Sequence, residues 1–277
     1  MGDESILHMS MNRERPSAEP EQNIDAWHLD TYSAWVQRYG SPADVVSKTR
    51  KNPRGPVESI LAHTGEVRGK RIANLMGSSG VKAMALSMLG ADVTVVDISE
   101  SNARYARELS EAAGLDMTYL VSDVLSLLQV EPSIGQFDIV FAELGIVHYF
   151  TNLAPLMEVA FRLLRPNGRF VLRDFHPVST KLLKYRGPTA KVRKYRVEGD
   201  YFDKNLERKP VSFAKHLPDV VDAPTVLWRK WTLGEIVTAV ACSGLRITEL
   251  VEEPNLSSDV FDAGIPKTFT LVAEAVP

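Results

Sequence analysis

The stretch Arg71-Ile72-Ala73-Asn74-Leu75-Met76-Gly77-Ser78-Ser79-Gly80 decides the fold. Its first five residues read as a buried strand, and a glycine-bearing loop follows. The loop opens a segment in which Val81, Met84, Ala85 and Met88 share one helix face, with Gly90 where a C-terminal cap belongs. The rhythm then repeats. Asp92–Asp97 is a second strand, and Ser99 can cap a helix with an apolar side of Ala106, Leu109 and Ala113, closed by Gly114. Met117–Val121, Asp138–Ala142 and Arg169–Leu172 are further strands, and Leu153, Leu156, Met157, Ala160 and Leu164 form a helix stripe between the last two. Alternation of this kind places parallel strands in one sheet covered on both faces.

Working outward, residues 1–24 are polar with Pro16 and Pro20, which predicts a disordered tail. Residues 25–66 hold Trp27, Tyr32, Trp35 and Tyr39, a break at Gly40-Ser41-Pro42 and a further helix from Val57 to Thr64, and read as an N-terminal helical cap. The Rossmann-like core spans residues 67–177. Residues 178–230 break its rhythm, with turn signals at Gly187-Pro188 and Gly199-Asp200. Between Lys181 and Lys215 this stretch has 11 Lys/Arg against 4 Asp/Glu, and it reads as an inserted substrate lid. A charge run is by default a solvated hairpin region, and the alternative is attraction of phosphate. Residues 231–277 return to the core, with a helix over Thr232–Ser243 and strands at Arg246–Glu252 and Thr268–Ala275. The connection between these strands is too short for a well-formed crossover helix, so they are expected to pair antiparallel.

Composition narrows the function classes. The chain has 277 residues, 44% of them hydrophobic, with 32 Lys plus Arg against 35 Asp plus Glu and a net charge of −3. That balance argues against a dedicated nucleic-acid binder. Cys242 is the single cysteine, so neither a disulfide nor a cysteine zinc cage is expected, and a reducing cytoplasm fits. No apolar run approaches the ~20 residues needed to span a bilayer, and the acidic start at Met1-Gly2-Asp3-Glu4 does not read as a signal peptide. A homodimer is compatible with the sequence.

In open α/β sheets, ligands sit beyond the carboxyl ends of the strands at the switch point. The first strand delivers the loop Met76–Gly80 there. The second ends at Asp97, 17 residues past Gly80, where a carboxylate can accept from both hydroxyls of a ribose. The third ends at Asp123, placed to accept from an adenine amino group, although an Asp at a strand end is as often a helix cap.

Taken together, Asn74-Leu75-Met76-Gly77-Ser78-Ser79-Gly80, Val95-Val96-Asp97-Ile98-Ser99, Val121-Ser122-Asp123-Val124, Phe137-Asp138-Ile139-Val140 and Leu163-Leu164-Arg165-Pro166-Asn167-Gly168 resemble the class I S-adenosylmethionine-dependent methyltransferases. The likeness covers about Lys70–Asp174. It implies a mostly parallel seven-stranded sheet with an antiparallel last strand. It also implies Asp97 on the ribose, Ile98 on the adenine face, Asp123 with Val124 at the adenine edge, and Ala142-Glu143 near the methionine end. The family's loop usually begins with an acid and carries three alternating glycines. Here Asn74 takes the acid position, Met76 and Ser78 take two glycine positions, Gly80 is in register and Gly77 is shifted by one.

Methyl transfer to a hydroxyl or protonated amine needs a group that takes a proton, and histidine titrates near neutrality. His176 is the first candidate for base and His148 the second. Tyr149, Arg173 and His216 are candidates for the acceptor side, while Tyr32 and Trp35 are candidates to cap the cofactor. Glu143 with His148 is too few ligands for a metal, and no metal is expected. The predicted function is methyl transfer from S-adenosylmethionine to an O, N or C nucleophile of a small molecule. The alternatives are a nicotinamide-dependent oxidoreductase, which would share the loop and Asp97, and a cofactor-binding module without efficient catalysis.

Overall fold

In the computed structural model of the chain, the described residues are 30–186, 195–211, 213, 224–254 and 264–276. The expected tail over residues 1–24, Trp27, the Gly187-Pro188 turn and His216 lie outside them.

The first strand, β1 (Arg71–Leu75), has the predicted bounds and lies inside a seven-stranded sheet. On one side come β2 (Asp92–Asp97) and β3 (Thr118–Val121). On the other come β4 (Phe137–Glu143), β5 (Leu164–Phe175), β11 (Pro266–Ala275) and the edge strand β10 (Leu245–Pro254). β1 pairs in parallel with both β2 and β4, so the strand order reverses there. β11 runs antiparallel to both β5 and β10, which gives the predicted reversed strand. β5 is longer than the apolar run Arg169–Leu172, because its ladder to β11 continues through Arg173, Asp174 and Phe175. Main-chain pairing to β11 carries residues whose side chains alone do not read as strand.

Alternate residues of β1 face opposite layers. Ala73 and Leu75 join Val140, Phe170, Leu172 and Leu271 beneath α7 (Ala154–Leu163) and α8 (Leu233–Cys242). Ile72 joins Val93, Val95, Phe141 and Val171 beneath α4 (Val81–Met88) and Ile60 and Leu61 of α3 (Glu58–Thr64). The Thr232–Glu235 capping box starts α8, since each side chain meets the other residue's backbone N–H.

Two more N-terminal helices, α1 (Tyr32–Tyr39) and α2 (Pro42–Lys51), pack on α5 (Glu100–Ala113) through Trp35, Val45, Val46, Tyr105 and Leu109. The inserted region forms a one-turn π-helix over Val178–Leu182 and two hairpins, β6 (Leu183–Tyr185) with β7 (Tyr195–Val197) and β8 (Leu206–Pro210) with β9 (Thr225–Arg229). Val211, Phe213 and Val226 of the second hairpin region pack on Tyr149, which lies just past the carboxyl end of β4. Buried Lys181 ties the insert down by donating to the carbonyls of Asp203 and Lys230.

Candidate active site

The loop after β1 keeps the backbone of a three-glycine turn although only one of those positions is glycine. Met76 (φ 50°), Ser78 (φ 52°) and Gly80 (φ 74°) all lie in the left-handed region. Two side chains therefore bear a conformation that costs an L-residue roughly 1–2 kcal/mol. The shifted Gly77 has a different reason. A Cβ there would stand 2.5 Å from Asn74 Oδ1 and 2.6 Å from Val95 Cγ1, so glycine lets the loop fold onto β1 and β2. Ser78→Gly should raise stability by about 0.5–1 kcal/mol, read as a melting temperature a few degrees higher. An unchanged or lower value would show that the Ser78 side chain compensates its strain.

Asp97 ends β2 beside this loop. Its Oδ2 accepts from the Ser78 N–H at 3.0 Å, and its Oδ1 accepts from the Ser99 N–H at 3.0 Å and from Asn102 Nδ2 at 3.1 Å. Burial pushes the carboxyl above its ordinary value, and these donors pull it back. Ile98 follows on the rim. Asp123, at the end of β3, takes the Leu125 N–H at 3.1 Å and the Ser126 hydroxyl at 3.2 Å, so it caps the turn into α6 (Leu127–Val130). Val124 behind it is buried in the core.

At the end of β4, Ala142 is buried and the Glu143 carboxylate collects cations. It accepts from Lys82, from the Ser59 hydroxyl at 2.9 Å and from Arg173 at 3.2 Å. Arg173 also donates to Glu253 at 2.7 Å. Arg173, a candidate for the acceptor side, is thus paired with Glu143 and Glu253. Among the described residues no group of three or more His, Cys, Asp or Glu is arranged to hold a metal ion.

The two histidines differ in what their ring nitrogens do. His176 Nδ1 accepts from the Val178 N–H at 3.1 Å, so Nε2 carries the proton and donates to Glu252 at 2.6 Å. With both nitrogens engaged, this side chain fastens the end of β5 to β10, and the geometry moves the base role away from it. His148 sits in a 3₁₀ turn (Val147–Tyr149) and is 2% exposed. Its Nδ1 lies 3.1 Å from the Arg229 carbonyl oxygen, which only accepts, so Nδ1 carries the proton. Nε2 is then a bare lone pair, buried and without a partner among the described residues. Burial lowers the pKa below the ordinary histidine value, and Lys209 and Lys230 lower it further against the opposing pull of Asp174. Trp228 of β9 lies 4.5 Å from the imidazole and Phe175 lies 6.4 Å from it, centroid to centroid.

The turn under His148 is fixed by Asp174. This buried carboxylate accepts from the N–H groups of Gly145 (2.6 Å), Ile146 (2.9 Å), Val147 (3.0 Å) and Phe175 (2.7 Å). Sequence reading did not single it out. The signal was an acid two positions past the apolar run of a strand whose register depends on a partner almost a hundred residues away.

Tyr32 and Trp35 make their side-chain hydrogen bonds to α5. The Tyr32 hydroxyl donates to Glu108, with Arg104 over its ring at 4.2 Å. Trp35 is buried against α5, and its indole N–H donates to Asn102 Oδ1 at 2.6 Å. The cap expectation for these two gives way to core packing, which aromatics three apart on a helix satisfy more often.

Residues 76–172 match a family model described as "Methyltransferase domain". With its 3-2-1-4-5 strand order and reversed strand, the sheet has the fold of solved S-adenosylmethionine-dependent methyltransferases. Among curated proteins it is similar to a ubiquinone biosynthesis O-methyltransferase from Bordetella avium, 24% identical over 158 residues, 57% of this chain and 64% of that protein. The chain thus matches a little less than two thirds of that relative's length. Among solved structures, an S-adenosylmethionine-dependent methyltransferase from Mesorhizobium loti has a TM-score of 0.57 at 22% identity, over 81% of this chain and 99% of that one. Magnesium protoporphyrin IX methyltransferase from Synechocystis, solved with bound S-adenosylhomocysteine, has a TM-score of 0.53 at 16% identity, over 90% and 96%. No helix among the described residues is long and apolar enough to cross a membrane.

Proposed function

We propose that the chain transfers a methyl group from S-adenosylmethionine to an oxygen nucleophile of a small molecule, with His148 as general base. A histidine held in one tautomer, whose buried Nε2 has no partner among the described residues, carries this reading. The rim also suits the cofactor. Asp97 Oδ2 takes one N–H and keeps a lone pair for a ribose hydroxyl. At the methionine end, Lys82 and Arg173 match a carboxylate and Glu143 an ammonium group, so the loss of an acid at Asn74 does not leave that end without charge.

When bound, the cofactor supplies a methyl group on a sulfonium, which an aligned nucleophile displaces in line. Asp97, the loop Met76–Gly80 and the Glu143 cluster orient it. Phe175, Trp228 and Tyr149 wall the approach to His148 with aromatic surface and exclude water. His148 takes the acceptor's hydroxyl proton at Nε2 as the new O–C bond forms. The β8–β9 hairpin packs on the turn that carries His148, which supports the insert as the wall of the acceptor site. The O-methyltransferase relatives favour oxygen over nitrogen or carbon. The absence of a spanning helix among the described residues and the single cysteine favour the cytoplasm.

Thermal shift and turnover test this reading together. S-adenosylhomocysteine should raise the melting temperature while NAD does not, and S-adenosylmethionine should be consumed with catechol as probe acceptor. Stabilisation by NAD alone would favour the oxidoreductase. Stabilisation by S-adenosylhomocysteine with no transfer to catechol, to a catechol bearing a carboxylate or to an aliphatic alcohol would favour a binding module.

A further inference from the structure

Behind Asp97 lies a chain of hydrogen bonds that starts outside the methyltransferase domain. The Trp35 indole N–H and the Thr31 hydroxyl both reach Asn102 Oδ1 at 2.6 Å, and Asn102 Nδ2 donates to Asp97 Oδ1 at 3.1 Å. Thr31, Trp35 and Asn102 are all buried, at 0%, 8% and 3% exposure. An indole N–H only donates, so the oxygen of the Asn102 amide must face Trp35 and its NH₂ must face Asp97. Asn102 is also anchored through its main chain, whose N–H donates to the capping Ser99 hydroxyl at 3.3 Å.

We propose that Asn102 is a positioning residue for the Asp97 carboxylate, and that Thr31 and Trp35 lock its amide in the orientation this requires. The inference rests on the reading that Asp97 holds the cofactor ribose, and it makes the segment opening α1 part of the cofactor site. The relay aims the carboxylate and favours its ionised form against the effect of burial. A protonated Asp97 has less capacity to accept from ribose hydroxyls, so weakening the relay should make cofactor affinity depend on pH. The other groups facing Asp97 are Ser78 from the loop, Ser99 from the start of α5 and Tyr119 from β3, whose hydroxyl donates to the Ser78 carbonyl at 2.7 Å. On α5, Glu100 and Arg107 pair with each other.

Two variants separate the relay from simple packing. Asn102→Leu removes the donor. The Thr31→Val/Trp35→Phe double variant keeps apolar volume, leaves Asn102 in place and removes both donors to its Oδ1. Carboxyl ¹³C NMR titration of the ligand-free protein follows Asp97, and calorimetry follows S-adenosylhomocysteine from about pH 5 to 8. In Asn102→Leu the Asp97 midpoint should rise by about one unit, and affinity should fall about tenfold at pH values below the unaltered protein's own Asp97 midpoint and recover as pH rises above the shifted one. The double variant should move both in the same direction by a smaller amount, and it decides the matter if Asn102→Leu does not fold. A lower melting temperature with an unmoved Asp97 midpoint in the folded variants would overturn the proposal, because packing alone would then explain the contacts. If the unaltered protein fails to bind S-adenosylhomocysteine, the cofactor reading falls, and the NMR midpoint still decides whether Asn102 positions Asp97.

Discussion

His148→Gln should lower kcat for methyl transfer to a hydroxyl acceptor by about 10²–10⁴-fold, the range expected when a positioned base is removed. Affinity for S-adenosylhomocysteine should stay within about threefold, because His148 is held by the Arg229 carbonyl and packed against Trp228, away from the Asp97 hydrogen bonds. The pH profile gives a second readout. Burial lowers the His148 pKa, so the base form prevails at neutral pH, and kcat/KM should fall only as pH drops through a value below the ordinary histidine one. The acid limb should vanish from the residual activity of His148→Gln. His176→Ala should keep that limb and most of kcat, because both of its ring nitrogens are already spent on Val178 and Glu252. The reverse pattern, an intact His148→Gln enzyme and a dead His176→Ala enzyme, would return the base role to His176.

Asp97→Ala should weaken S-adenosylhomocysteine binding by about a hundredfold in isothermal titration. Hydrogen bonds to a charged acceptor contribute about 1.5–3 kcal/mol each, and roughly 2.7 kcal/mol corresponds to two factors of ten. The variant also leaves the Ser78 and Ser99 N–H groups and Asn102 Nδ2 without their carboxylate acceptor, so the loop after β1 loses one of its ties to β2. Asp97→Asn controls for this. It keeps one acceptor oxygen and the side-chain volume, and should bind with intermediate affinity. Near-native affinity in Asp97→Ala would remove the ribose assignment.

The parts of this molecule that sequence alone disclosed are those whose physics is local. β1 and β2 came with their bounds because buried apolar runs are flanked by turn chemistry, and α5 because Ser99 and Gly114 mark its ends. The order of Gly80, Asp97 and Asp123 along the rim was legible because Gly80 closes the loop after β1, Asp97 ends β2 and Asp123 lies two residues past β3. What escaped depends on contacts distant in sequence. The ladder to β11 extends β5 past its apolar run, and Asp174 is an anchor only because β5 brings it beneath the turn after β4. The differing ring-nitrogen contacts of His148 and His176 were hidden for the same reason: the Arg229 carbonyl and Glu252 that make them come from the far end of the chain. The residue types in the glycine loop did not disclose its backbone, in which Met76 and Ser78 take left-handed φ values alongside Gly80.

A crystal of the protein soaked with S-adenosylhomocysteine tests the central claim most directly. The account predicts the ligand across the carboxyl ends of β1, β2 and β4, with its ribose hydroxyls on Asp97 and its sulfur facing the side of the site walled by His148, Phe175 and Trp228. A ligand bound elsewhere, or bound at this rim with its ribose turned away from Asp97, would contradict it.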